Sequence, residues 1–165
     1  MPAASTPSLL ADHLDFLKPG LSINVGSCDA GGRPSLCRAL GFDLEEATGR
    51  ITVFLPIPQS GALLRDLTAH GRIAVVFSEP ATHRTLQFKG GDAQVATPGP
   101  AAARQVARCV EAFVGVLEPL GYPPQAIRTV LTCDPAQVAA VSFTPIRAFE
   151  QTPGPQAGVQ VGGPR

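Results

Sequence analysis

The sequence predicts a mainly β domain, a small antiparallel barrel with helices packed outside it. Strand-like runs between residues 21 and 95 are joined by hairpin turn signals, with only a few helices inserted. No G-x-G-x-x-G follows the first strand, so the fingerprint of a parallel dinucleotide-binding sheet is absent. At 165 residues the chain is of one-domain size and long enough to bury a core. Residues 1–150 are expected as a single domain and 151–165 as a Pro/Gly-rich tail.

Each element follows from local chemistry. Ser8 to Lys18 reads as a short amphipathic helix with Leu10, Leu14 and Leu17 on one face, stopped by Pro19 and Gly20. Leu21 to Cys28 alternates with period two, and residues 29–34 are a strong turn signal. A second strand is expected from Ser35 to Leu44, a turn over 45–50, and a third, apolar strand from Ile51 to Leu55. Pro56 and Pro58 break the sheet. A helix from Ser60 to Ala69 follows, with Ser60 as N-cap, Leu63, Leu64 and Leu67 inward, and Gly71 at its end.

Arg72 to Ser78 reads as a buried strand, and Thr82 to Val95 as a fifth, bent at Gly90-Gly91. The longest helix is expected over Ala101–Leu120, its stripe formed by Val106, Cys109, Val110, Phe113 and Leu117. A brief helix from Gln125 to Leu131 and a last strand from Val138 to Phe149 complete the domain. The tail after Gln151 reads either as a loose end or as a structured ending.

Composition narrows the partners. Thirteen positive and thirteen negative side chains balance, which argues against nucleic acid, whose backbone needs a concentrated basic surface. No apolar run approaches the ~20 residues of a membrane span. Met1 to Pro7 lack the basic start and apolar stretch of a signal peptide. A cytoplasmic protein without membrane partners is expected. Low charge (16%) with 44% hydrophobic residues favours a buried subunit interface. The four cysteines have no C-x-x-C and no histidine pairing, so no metal is expected. Cys28 and Cys37 would lie about three residues out of register and read as core thiols.

Arg38 is the one charge in the apolar stretch Leu36 to Phe42. A permanently charged guanidinium there needs an anion or many acceptors. Alternation puts Leu36, Arg38, Leu40 and Phe42 on one strand face and Cys37, Ala39 and Gly41 on the other. A phosphate held between Arg38 and the helix start after Ser60 is one reading; an ion pair with Asp43 or Glu79 is the other. On the fifth strand His83, Thr85, Gln87 and Lys89 share a face, opposite Arg84, Leu86 and Phe88. Thr85 and Gln87 could bond a polar ring edge, or form the solvated face of an edge strand.

In order and spacing, these residues resemble the FMN-binding split barrels, the pyridoxamine 5′-phosphate oxidase-like superfamily. The segments that carry the resemblance are 29–34, Arg38–Leu40, Ile51–Pro56, Leu63–Leu67, Gly71–Phe77 and Arg84–Gly90. The resemblance implies a six-stranded antiparallel split β-barrel of the FMN-binding type, with FMN as cofactor. It implies a homodimer with cofactor sites at the subunit interface, each built from both chains. Arg38, Ala39 and Leu40 would approach the flavin phosphate. Pro56, Gln59 and Ser60 would reach the phosphate and ribityl chain, and Arg84, Thr85 and Gln87 would face the ring.

The chain departs from the family's oxidases at the helix start, where Gln59-Ser60-Gly61 replaces a basic cluster, and it has no tryptophan. The expectation is an oxidoreductase acting on a small molecule through bound FMN, other than pyridoxamine phosphate oxidation itself. No catalytic acid or base stands out. The alternative is a non-catalytic flavin- or haem-binding stress or sensor protein on the same barrel.

Overall fold

Residues 9–164 are described in the computed structural model. The N-terminal reading of Met1 to Pro7, and Ser8 at the first expected helix, lie outside the described residues. Strands β1 (Ser22–Cys28) and β2 (Pro34–Arg38) form the expected first hairpin. Asp29 builds its turn by accepting at Oδ1 from the amides of Gly31 and Arg33, at 2.8 and 2.9 Å. Cys37 stands opposite Val25 and Cys28 opposite Pro34, so the two thiols are out of register as expected.

The chain continues through β3 (Gly41–Glu45), β4 (Arg50–Pro56), α1 (Ile57–His70), β5 (Ile73–Ser78), β6 (Thr85–Gly90) and β7 (Gln94–Ala96). Then come α2 (Ala102–Leu117), α3 (Pro124–Val130), β8 (Val138–Phe143), β9 (Arg147–Glu150) and β10 (Gln160–Gly162). One antiparallel sheet has the order β10-β9-β6-β5-β1-β2 and the other β3-β4-β8-β7. The expected six-stranded barrel is corrected, among the described residues, to ten strands in these two sheets.

The correction has one physical source. Each of the three longest expected strands folds at a corner and passes from one sheet to the other. Ser35–Leu44 divides into β2 and β3, Thr82–Val95 into β6 and β7, and Val138–Phe149 into β8 and β9. At the first corner the Ala39 amide donates to Ile23 O of one sheet (3.0 Å) and the Leu40 amide to Phe54 O of the other (2.8 Å). At the second, Gly90 is mandatory, because a Cβ there would stand 2.8 Å from Thr144 O. Asp92 ties the second corner to the third, accepting from the Thr144 amide (2.8 Å) and from Arg50 (3.2 Å). Burial alone would raise the Asp92 carboxyl, but these bonds outweigh it and hold the group below its ordinary value.

The core lies between the sheets. Phe77 packs edge-on against Phe42 and Phe88, with Val25, Val53, Val75, Val141 and Phe143 fully buried around them. A second cluster lies under α2 and α3 and contains Leu40, Phe54, Val114, Ile127, Leu131, Val138 and Ala140. The expected α2 stripe holds: Cys109 is buried, and Val106, Val110, Phe113 and Leu117 pack against that cluster.

Two helix expectations are corrected. The segment before β1 forms only a 3-10 turn at Ala11–His13, because docking of Leu10, Phe16 and Leu17 into the core sets its path; so short a helix gains little on its own. Helix α1 begins at Ile57, not Ser60. Pro58 fits its first turn, where a missing N–H costs nothing. Ser60 lies within the helix, and its hydroxyl donates to Pro56 O at 2.7 Å. Gly71 ends α1 at a left-handed φ of 68°, as expected. Residues after 150 join the large sheet: the Gln151 amide donates to Thr85 O (2.8 Å), and β10 pairs with β9. Among the described residues no helix is long and apolar enough to cross a membrane.

Two outcomes test this packing. Gly71→Ala is expected to destabilise the protein by roughly 1–3 kcal/mol in urea unfolding, from left-handed strain and from a Cβ 2.8 Å from Gly91 O. His13 supplies the second. Its ring stands edge-on to Phe88 at 5.4 Å, and its buried Nε2 has no hydrogen-bond partner. Desolvation, aided by Arg84 and opposed by Asp12 and Glu150, lowers its pKa from the ordinary 6.5. The fold therefore holds the ring neutral, while the unfolded chain binds the proton more readily. The contribution is complete above the ordinary value and declines as pH falls below it. The urea midpoint is expected to drop between pH 7.5 and 5.5, and His13→Leu should flatten part of that drop. An equal slope in that variant would refute the role.

Candidate functional site

Strand alternation in β2 turns Cys37 into the core and Leu36 and Arg38 outward; Leu36 is 71% exposed. The expectation that Leu40 and Phe42 share this face is corrected. The corner at Ala39-Leu40 breaks the alternation, and Ala39, Leu40, Gly41 and Phe42 are all buried. Leu40 enters the cluster under the helices, and Phe42 enters the core between the sheets.

Arg38 is exposed but held. Its Nη1 donates to Ser22 Oγ at 2.8 Å. Among the described residues no carboxylate lies within 4.0 Å of it, so the ion pair with Asp43 or Glu79 is not formed. The guanidinium stands at the polar end of a groove of about 410 Å³ between the sheet edge and the helix pair. Phe113 and Leu117 of α2, Tyr122, and Ile127, Val130 and Leu131 of the α3 segment supply apolar walls, with Pro80 opposite. Val130 (70%) and Tyr122 (57%) are strongly exposed for such side chains. The volume and the single cationic end suit an amphipathic ligand that carries an anion.

The other expected site residues are distributed around this centre. Ala39 and Leu40 line a narrow crevice that also includes Arg38, Gly20 and Phe113. The Leu40–Phe54 backbone bond brings this corner beside the end of β4, where Pro56 lies. Gln59 is exposed on the first turn of α1, and Ser60 is buried with its hydroxyl committed. Neither lines the Arg38 groove.

Thr85 and Gln87 point outward from β6, as alternation predicts, while Leu86 and Phe88 are buried. Register sets Arg38, Asn24, Val76, Gln87 and Phe149 in one row across the large sheet. Arg38 and Gln87 are thus three strand spacings apart, roughly 14 Å. Thr85 Oγ1 lies 3.0 Å from Ser78 Oγ and 2.9 Å from His83 O. Arg84 is apart from all of these, stacked over the Phe16 ring at 4.8 Å.

The apolar walls were missed in the sequence. Ile127, Val130 and Leu131 have helical spacing, yet their segment is short, and nothing local shows that it faces Arg38, some ninety positions earlier.

Solved structures share this architecture at low sequence identity. A candidate pyridoxamine 5′-phosphate oxidase of Lactobacillus delbrueckii is 14% identical, with 88% of this chain and 97% of that chain covered and a TM-score of 0.52. An F420 reductase is 14% identical over 81% and 93%, with a TM-score of 0.53. HupZ of Group A Streptococcus is 17% identical over 84% and 90%, with a TM-score of 0.50. No protein-family model and no curated protein sequence matches the chain. The chain has the pyridoxamine 5′-phosphate oxidase-like split-barrel fold.

Proposed function

We propose that this protein is an FMN-binding flavoprotein that acts as an oxidoreductase on a small molecule. The observation that carries the reading is Arg38: a cation with no carboxylate partner, oriented by Ser22, at the polar end of an apolar groove. The shared fold with a candidate pyridoxamine 5′-phosphate oxidase and an F420 reductase supports it.

The residues fit the group. A guanidinium has five donors, and the one bonded to Ser22 leaves enough for two phosphate oxygens. Phe113, Leu117, Ile127 and Leu131 offer surface to a flat ring and would keep water from it. Bound FMN supplies hydride or electron transfer, chemistry no side chain here can perform. The protein's part is to neutralise the phosphate, orient the ring and exclude solvent. Besides Arg38, Ser22 and Tyr122 bring hydroxyl-bearing side chains to the groove lining.

The same reading includes a homodimer whose sites use both chains. The outer face of the large sheet carries Leu36, Gly26, Ala74 and Val76, apolar or small residues opposite the buried ones. Covering this face with a second copy would bury Leu36 and would account for Thr85 and Gln87, which stand across the sheet from Arg38. In this arrangement they serve the site completed by the partner.

Mass spectrometry and absorbance of the purified protein test the cofactor: a flavin mass and spectrum are expected. A haem Soret band would support the alternative binding protein instead. Arg38→Ala should weaken FMN at least tenfold, about 1.4 kcal/mol, while leaving the urea midpoint unchanged. Unaltered affinity would remove Arg38 from the site.

A further inference from the structure

A second concavity, of about 390 Å³, lies on the same outer face of the large sheet, at the end of the row Leu36, Gly26, Ala74, Lys89 and Arg147, where a second copy would border it; Ser27 and Arg72 also line it. Its charge is unusual. Lys89 of β6 and Arg147 of β9 are directly opposite in register, with like charges across one strand pair. Such a pair opposes folding unless an anion intervenes. Arg72 adds a third positive charge to the same lining, which contains no carboxylate. Among the described residues, none of the three has an acidic partner within 4.0 Å.

The contacts that Lys89 and Arg72 make orient them without neutralising them. Lys89 Nζ lies 4.9 Å from the centre of the Phe149 ring. Arg72 donates from Nε to His70 Nδ1 at 3.3 Å, and from its amide to the same nitrogen at 3.1 Å. With Nδ1 accepting, His70 carries its proton on Nε2, which lies 2.7 Å from Cys28 O. The imidazole therefore braces Arg72 without supplying a negative charge. In a chain with as many acidic as basic groups, three uncompensated cations around one hollow are not a product of composition.

We propose that this concavity binds a small phosphorylated anion with two or more negative charges, of the diphosphate type found in nucleotides. Three cations around one open concavity call for a polyvalent ligand rather than one carboxylate. Confinement to a single hollow, without a basic stripe, separates it from a nucleic-acid surface. The proposal does not rest on flavin binding at Arg38.

Inorganic pyrophosphate is the probe, titrated calorimetrically at low ionic strength. Saturable binding is expected, weakening with added salt. Lys89→Gln and Arg147→Gln should each reduce it at least tenfold, and Arg104→Gln, on α2 and in the lining of neither concavity, should leave it unchanged. Thermal unfolding separates binding from folding: both Gln variants should melt no lower than wild type, because each removes a like-charge opposition. Failure of wild type to bind pyrophosphate, or equal weakening by Arg104→Gln, would overturn the proposal. So would variants that change only the oligomeric state, since a second copy's carboxylates would then be the occupant.

Discussion

The passage of the chain between sheets at Ala39-Leu40 governs much of what lies around it. Two consecutive amides donate into different sheets, to Ile23 and to Phe54. Neither residue can rotate to restore the strand alternation without leaving a buried amide unpaired. Arg38 is therefore the last residue to face outward, and Leu40 the first to enter the second core. The corner also seats α2: Gln105 Nε2 donates to Phe42 O at 2.8 Å, and Cys109 Sγ lies 3.6 Å from the same oxygen. Gly41 permits that approach, since a Cβ there would stand 2.8 Å from Cys109 Cβ. Helix α2 lies close to the guanidinium because the corner draws it in.

The remaining crossings brace the opposite side. Asp92 after β6, Thr144 after β8 and Arg50 at the start of β4 meet in one cluster, so both corners are fastened to the same strand. The two sheets are thus joined by covalent chain at three corners and again through α1, and they share a phenylalanine-centred core. A sheet fixed in this way offers a rigid outer face. Rigidity matters for a binding surface, because side chains on fixed strands need little reordering when a ligand arrives.

How much of this was legible depended on whether the cause was local. The first hairpin was readable because Asp29, Gly31, Gly32 and Pro34 dictate a turn by themselves. Gly71 marked the end of α1 for the same reason, and the α2 stripe followed from spacing. The corners were less visible. Leu36 to Phe42 contains no breaker before Gly41, so it reads as one strand; the change of sheet is imposed by partners distant in sequence. Gly90-Gly91 did mark the second corner, though not that the chain changes sheets there, and the third corner fell inside the expected strand Val138–Phe149, across Pro145. Ser60 misled because serine suits an N-cap; Pro58, already compatible with a first helical turn, set the start. Arg38 was identified from its type and surroundings alone, whereas its groove required the packing of α2 and α3 on the second core.

Charge placement gives the outer face its character. Glu111 is engaged by Arg128 through two bonds of 2.9 and 2.8 Å, Asp92 by Arg50, and buried Asp66 by the Ser35 hydroxyl at 2.7 Å. None of these acids lines either concavity of the large sheet. The cations are arranged differently: Arg38 stands at the β2 edge, and Lys89 and Arg147 three and four strands away. Between them, Gly26, Ala74 and Val76 leave a surface of small and apolar groups. Desolvating such a surface costs little, whereas desolvating the flanking cations without anions costs much. Any partner that covers the middle of this sheet must therefore bring negative charge to its rims. That requirement follows from the register alone, whatever occupies either site.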